Sequence, residues 1–137
     1  MSDETLLELR GVSRVYRSRT EKTHALEDVS LRVTRGCSCG IVGESGAGKS
    51  TILNLLLGLD DPTVGEVLWK GEPLPRRDRA RMKDFRRQVQ MVFQDPRSSL
   101  DPRMSVGRII SEPLRSLGVP GNHRERVHRS EEHTSEL

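Results

Sequence analysis

The stretch IVGESGAGKST, residues 41–51, combines small residues with a lysine and hydroxyl side chains. Gly43, four further residues, and then Gly48, Lys49 and Ser50 fit the pattern G-x-x-x-x-G-K-[ST]. Glycines let successive backbone N–H groups approach phosphate oxygens, and the start of a following helix adds a favourable partial positive charge. The pattern predicts a phosphate-binding loop made of Gly43, Glu44, Ser45, Gly46, Ala47, Gly48, Lys49, Ser50 and Thr51.

The side chains at the end of this loop have separate predicted roles. Lys49 would bridge the β- and γ-phosphates of a nucleotide, and Thr51 would contact the α-phosphate. The Ser50 hydroxyl would complete the coordination of Mg²⁺, which prefers oxygen ligands. The alternative is a glycine-rich turn with an incidental lysine. The loop by itself does not distinguish a GTPase, a kinase, a helicase or a transport ATPase, because one fold hosts all of them.

The flanking segments predict how the loop is positioned. CSCGIVG, residues 37–43, is expected to be a short buried strand, with Cys37 and Cys39 as small buried or half-buried residues. A lone C-x-C pair is a weak metal signal. After the loop, residues 49–59 are expected to form a helix that is buried all round, because its apolar residues point in almost every direction.

The other apolar patterns predict further strands and helices. Residues 6–17 and 25–33 read as two strands around a charged hairpin loop, and residues 65–74 as an edge strand with a turn at Gly71. The remaining predictions are a short exposed helix at 76–87, a buried strand at 89–96, and a helix at 105–118 that Pro113 interrupts or kinks.

Composition and charge limit the class of protein. The chain has 137 residues, enough for one domain, with 31% charged and 33% hydrophobic residues, as in a soluble protein. Residues 76–87 carry seven basic and two acidic side chains, but the aromatic fraction is only 3%. We therefore expect a solvated basic face and no nucleic-acid partner. No apolar stretch approaches the roughly 20 residues of a membrane span, and the acidic start is unlike a signal peptide, which favours a cytoplasmic chain.

The order of the motifs resembles the ATP-binding subunits of ABC transporters. VYR, LEDVSLRV, GIVGESGAGKST, GEVLWKGEPL and VQMVFQDPRSSLDPRMSVGRIISEPL follow one another as in that family, and the last is most similar to subunits of oligopeptide, dipeptide and nickel importers. The resemblance covers residues 5–128. It implies an α/β fold: a P-loop NTPase core with an N-terminal antiparallel β-subdomain, and ATP and Mg²⁺ as cofactors.

The resemblance also assigns residue roles. Tyr16 matches the aromatic residue that stacks on adenine, and Gln94 matches the glutamine that binds Mg²⁺ or the attacking water. Ser50 and Gln94 would then be the metal-binding residues. The expected partners are transmembrane permease subunits, a second ATP-binding subunit and, indirectly, a substrate-binding protein. Such a subunit lies at the cytoplasmic face of the cell membrane and couples MgATP hydrolysis to uptake of peptides or a similar small solute.

Other family elements are not found in the sequence. It has no LSGGQ-type signature loop, no strand ending in Asp and the catalytic Glu, and no switch histidine, so no catalytic residue is assigned. We expect residues 1–128 to be the front half of the domain and not to hydrolyse ATP alone. Residues 129–137 resemble a translated sequencing adapter and are expected not to be native. The alternatives are a non-transport P-loop ATPase and a short, non-hydrolytic nucleotide-binding module.

Overall fold

A computed structural model describes residues 4–95 and 97–134. The chain divides into two compact units, Met1–Met82 and Lys83–Leu137. The elements are β1 (Thr5–Arg17), β2 (Lys22–Thr34), α1 (Lys49–Leu56), β3 (Val64–Trp69), β4 (Glu72–Pro73), α2 (Arg79–Gln88), α3 (Val106–Ser116) and α4 (His123–Thr134). Among the described residues, no helix is both long enough and apolar enough to cross a bilayer.

The first unit is built on an antiparallel sheet with the strand order β2-β1-β3-β4. β1 and β2 form the predicted hairpin, which the backbone N–H of Ser18 closes by donating to the Glu21 carbonyl at 2.9 Å. β3 pairs with β1 on one side and with the short β4 on the other, so the prediction of an edge strand is wrong. Its residues Val67, Leu68 and Trp69 are all buried, because both faces of β3 are covered.

The turn after β3 forms where it was predicted. Lys70 and Gly71 both have positive φ, 50° and 81°, which is the combination that a tight hairpin turn with the strands' own twist requires. Trp69 then pairs with Glu72 across the turn. The sequence pattern therefore located the turn correctly, although it misjudged the place of the strand in the sheet.

The core of the first unit lies between the sheet and α1, which packs against β1 and β2. Its buried apolar residues are Leu9, Val12, Leu26, Leu55, Leu56, Val67, Leu68, Trp69, Leu74 and Met82. The prediction that the helix is buried all round is wrong: only Leu55 and Leu56 are buried, while Leu53 is 43% exposed. Gly58, at φ 67°, ends the helical segment as expected.

Two predicted strands do not form, although the structure describes 37–43 and 89–95 in full. Both segments are irregular, and neither joins the four-stranded sheet. A strand requires hydrogen bonds from a neighbouring strand, and no described strand pairs with either segment. Val42 and Val92 are consequently 96% and 91% exposed, and Cys37 and Cys39 are exposed rather than buried.

The second unit contains two helices that pack on each other, α3 and α4. Pro113 lies inside α3 without interrupting it, and the backbone N–H of Leu117 still donates to the Pro113 carbonyl at 3.0 Å. The guanidinium of Arg87 donates to the carbonyls of Leu117 and Gly118 at 2.8 and 2.7 Å, which ties the end of α2 to the end of α3. The basic helix predicted at 76–87 forms as α2, but it begins at Arg79, and because Met82 and Phe85 on it are buried it is not exposed on every side.

The predicted boundary at residue 128 falls inside a helix. α4 continues from His123 to Thr134, and its exposed side chains include an ion pair between Arg129 and Glu125 at 3.5 Å. The last residues of the segment predicted to be non-native, 135–137, lie outside the described residues.

Candidate functional site

The glycine-rich loop has the backbone that its composition predicts. Gly46 and Gly48 lie in the left-handed region, at φ 81° and 92°, where side chains other than hydrogen are strained. Inside the loop, the N–H of Ala47 donates to the Glu44 carbonyl at 3.1 Å. α1 begins directly at Lys49, and its N-cap, Gly48, supplies no side-chain cap. The first N–H groups of α1 are therefore not capped by a side chain, and the partial positive charge at this end of the helix favours an anion.

The end of the loop is fixed on the hairpin. A Cβ atom on Gly48 would lie 2.7 Å from the carbonyl oxygen of Ala25 and 2.8 Å from Cδ2 of Leu26. Only glycine fits there, because real Cβ atoms do not approach neighbours so closely. The close approach places the start of α1 against β2.

Lys49 turns back over the loop. Its Nζ donates to the carbonyl of Glu44 at 2.6 Å and to the carbonyl of Gly43. Ser50 is exposed and Thr51 half-buried in the first turn of α1. The loop therefore places an ammonium group, an exposed hydroxyl and a helix N-terminus within one short segment. These groups match the donors and ligands that a nucleotide phosphate with Mg²⁺ needs, so the residues fit the predicted cofactor.

Tyr16 lies near the end of β1 and is 39% exposed. It pairs with Thr23 on β2, while Arg14, two residues earlier, pairs with Leu26. Leu26 is also the residue that Gly48 approaches. The register therefore brings the predicted adenine-stacking residue to the part of the hairpin that holds the phosphate loop.

Tyr16 has polar partners that sequence reasoning missed. Its hydroxyl donates to Oδ2 of Asp60 at 2.8 Å, and the Arg14 guanidinium lies 4.4 Å from its ring centroid. Arg14 also donates twice to Asp60, at 2.9 and 2.8 Å. No sequence signal pointed to this cluster, because Asp60 was interpreted only as part of the segment that ends α1. Asp60 is separated from Arg14 by 46 residues.

The cluster shifts the protonation equilibria of its charged members. The hydrogen bonds that Arg14 donates to Asp60 are the main reason that the pKa of Arg14 is raised. For Asp60, burial acts to raise the pKa, but hydrogen bonds from Tyr16, the Asp61 N–H and Arg14 together lower it below 3.8. Both residues are therefore charged at neutral pH, and the Asp60 carboxylate accepts every one of these bonds as an anion.

Arg76 holds the segment that carries Asp60. Its guanidinium donates to the backbone carbonyls of Asp60 at 2.8 Å and of Gly58 at 3.2 Å. It also forms an ion pair with the exposed carboxylate of Asp61 at 2.8 Å. The residues after α1 are thus fixed through both their backbone and their side chains.

Gln94, the other predicted site residue, belongs to the second unit. It is exposed and lies in a bend, not at the end of a strand as predicted. The first unit thus brings together Tyr16 and the loop from Gly43 to Thr51, and these are the residues whose mutual arrangement the structure describes.

Comparisons with known proteins identify a family for the chain. The profile of the family described as ABC transporter matches residues 26–136. The chain is 42% identical over 118 residues to the nickel import ATP-binding protein NikE of Escherichia coli, with 82% of this chain and 44% of the relative covered. It is 39% identical to the oligopeptide transport ATP-binding protein OppF of Haemophilus influenzae, again over 82% of this chain but 36% of the relative.

Solved structures give the same result for the fold. A dimeric bacterial ABC transporter cassette matches with a TM-score of 0.76 at 30% identity, over 93% of this chain and 55% of that one. CbiO1 of Clostridium perfringens, part of the ABC transporter complex CbiONQ, matches with a TM-score of 0.68 at 25% identity, over 92% of this chain and 47% of that one. These likenesses confirm the predicted fold class.

The chain spans less than half the length of the curated relatives it matches. The profile match nevertheless extends over most of the chain and includes the whole phosphate loop. On this evidence the chain belongs to the ABC transporter family.

Proposed function

We propose that this chain provides the nucleotide-binding face of an ATP-binding subunit in an ABC importer. The observation that carries the proposal is the loop from Gly43 to Thr51, whose left-handed glycines, lysine and helix start are arranged as phosphate binding requires. Relatives described as nickel and oligopeptide import ATP-binding proteins support the transport class. A related cassette in a post-hydrolysis state binds ADP and Pi, which supports nucleotide as the ligand.

The proposed roles follow from the chemistry of each residue. Backbone N–H groups of the loop and Lys49 would hold the phosphates, and the exposed hydroxyl of Ser50 would be a ligand of Mg²⁺ together with Gln94. Tyr16, with its exposed ring, would stack on adenine. When bound, Mg²⁺ would neutralise part of the charge on the phosphates.

The proposed partners follow from the relatives. Solved cassettes are dimeric, and the CbiO1 cassette is part of a larger transporter complex. We infer a second ATP-binding subunit and membrane permease subunits as partners of this chain, with a substrate-binding protein acting on the permease. The subunit would sit at the cytoplasmic face of the membrane and couple ATP hydrolysis to import of peptides or a similar small solute.

A titration can test the phosphate site without hydrolysis. Backbone amide shifts of the loop are followed by NMR during addition of MgATP and, separately, of magnesium tripolyphosphate. The substitution Lys49→Gln removes the ammonium group. It should lower the affinity for both ligands at least about tenfold, as expected for the loss of a charge-assisted hydrogen bond.

The matched control is Lys70→Gln, which removes the same charge at the turn after β3. Lys70 instead lies over the Trp69 ring, 5.3 Å from its centroid. The control should leave both affinities within about twofold of the original, since a single distant charge is screened. Equal weakening by the two variants would contradict a phosphate site at Lys49.

A further inference from the structure

The cluster beside Tyr16 is more than a surface ion pair. The two carboxylate oxygens of Asp60 accept three hydrogen bonds from side chains, two from the Arg14 guanidinium and one from the Tyr16 hydroxyl, all between 2.8 and 2.9 Å. Arg14 and Asp60 are each about one-fifth exposed, at 23% and 22%. We call Arg14, Tyr16 and Asp60 the Asp60 latch.

The latch restricts the Tyr16 ring in two ways. The hydrogen bond to Asp60 fixes the hydroxyl end of the ring, and the Arg14 guanidinium covers one ring face at 4.4 Å from the centroid. Because Asp60 also binds Arg14 through both oxygens, the carboxylate sets the position of both groups. A stacking ligand therefore meets a ring that is 39% exposed and whose orientation is already set.

Asp60 lies in the segment that follows α1, and this segment is held by hydrogen bonds of its own. Arg76 donates to the Asp60 carbonyl at 2.8 Å, and the N–H of Thr63 donates to the carbonyl of Ser13 on β1 at 2.8 Å. The Thr63 hydroxyl accepts from the N–H of Val15, the neighbour of Tyr16, at 3.0 Å. The bonds of Thr63 thus hold the end of this segment on the strand that carries the aromatic ring, and Arg76 braces its backbone at Asp60.

We propose that Asp60 is a positioning residue for adenine: it orients the Tyr16 ring for stacking and, through α1, links the base-binding ring to the phosphate loop. The proposal rests on the proposed function, in which Tyr16 stacks on the base. α1 starts at Lys49 in the phosphate loop and ends four residues before Asp60. One short helix thus connects the residues that meet the phosphates to the residue that aims the ring.

Preorganisation explains why such a residue affects affinity. Stacking a base on a free aromatic ring requires the ring to lose rotamer freedom, whereas a ring already held by hydrogen bonds loses little on binding. Loss of the latch should therefore weaken only the contribution of the base. We expect the ratio of the MgATP affinity to the magnesium tripolyphosphate affinity to fall about threefold to tenfold, a part of what aromatic stacking supplies.

The test measures this ratio in the full chain by NMR titration. Asp60→Asn removes the charge of the acceptor, and Tyr16→Phe keeps the ring but removes its hydroxyl; both should lower the ratio while tripolyphosphate affinity stays constant. Asp61→Asn is the matched control: Asp61 carries the same charge one residue away, its carboxylate, 72% exposed, pairs with Arg76, and without that pair Arg76 still donates to the carbonyls of Gly58 and Asp60. In Asp61→Asn the ratio of the MgATP affinity to the tripolyphosphate affinity should not change.

A double variant separates positioning from general stability. In a Tyr16→Ala background no ring remains to be oriented, so adding Asp60→Asn should leave the ratio where Tyr16→Ala alone puts it. A further fall in the double variant, or an unchanged ratio in both Asp60→Asn and Tyr16→Phe, would overturn the proposal for Asp60. An unchanged ratio in Tyr16→Ala would instead overturn the proposed stacking role of Tyr16.

Discussion

Gly65 on β3 lies directly against Gly11 on β1. A Cβ atom on Gly65 would be 2.3 Å from the Gly11 carbonyl oxygen and 2.6 Å from that of Arg10. Arg10 pairs with Glu66 and Ser13 pairs with Val64, so two residues of β1 oppose Gly65 alone and form a bulge. The bulge lies between the buried half of β1 and the half that carries Tyr16, so the approach of two glycines sets where the strand bends.

Replacing Gly65→Ala should strongly destabilise the first unit. The added carbon has no room, and Gly65 has φ 88°, a region unfavourable for alanine. We expect a loss of about 2 to 4 kcal/mol in the free energy of unfolding, measured by urea titration. Gly36→Ala is the control, since Gly36 has φ 75° but no atom within 4 Å of a new Cβ, and it should cost only about 1 kcal/mol. Equal losses would show that the contact with Gly11 has no effect.

Glu8 should make stability depend on acid pH. Its buried carboxylate accepts from Arg10 at 3.2 Å and from Arg32 at 3.2 Å. The hydrogen bond from Arg10 is the main reason that the pKa of Glu8 lies below its ordinary 4.5; burial opposes this, and Arg32 lowers it further. Because the folded pKa is the lower one, the stabilisation is present above pH 4.5 and is lost as the pH falls through the folded value.

The corresponding measurement uses Glu8→Gln. This variant should be less stable than the original chain at pH 7, and the difference should shrink at acid pH below the folded pKa of Glu8, where the carboxyl is neutral in both states. Glu21→Gln, in the exposed hairpin loop, serves as the control and should show little difference at either pH. A Glu8→Gln difference that is constant over this pH range would mean that the charge of Glu8 is not involved.

Cys37 and Cys39 should react freely with a thiol reagent in the folded chain. Both are exposed in the irregular segment before the phosphate loop. We expect native and urea-unfolded protein to be modified at rates within about threefold of each other, because the reagent reaches an exposed thiol about as easily in the folded chain as in the unfolded one. Protection of more than about tenfold in the native state would show instead that these residues are buried, as the sequence pattern suggested.

Local signals explain which parts of the fold the sequence predicted. The glycine-rich loop was predictable because the positive φ of Gly46 and Gly48 is a local requirement that selects glycine, to which the close approach of Gly48 to Ala25 adds a second one. The β1–β2 hairpin was predictable since its alternating pattern and loop lie close together in the chain. The turn at Gly71 was also predictable from a local signal, because the positive φ at that position selects glycine.

The errors concern features that depend on distant partners. Residues 37–43 and 89–95 have apolar patterns typical of strands, but a pattern does not specify the neighbouring strand that supplies hydrogen bonds. β3 appeared to be an edge strand since Val67 and Trp69 alternate with polar residues, whereas its position is set by pairing with β1. The Arg14–Asp60 contact joins residues 46 apart, and no periodicity encodes it.

The two bonds that Lys49 makes to the carbonyls of Gly43 and Glu44 have a consequence for calorimetry. A phosphate that captures this ammonium replaces interactions already present, so the step is an exchange of acceptors rather than the addition of one. The heat released on binding should therefore be smaller than a count of new contacts suggests. Before such an exchange, the carbonyl oxygens of Gly43 and Glu44 take the place of the proposed phosphate, and their bonds to the ammonium brace the loop from within.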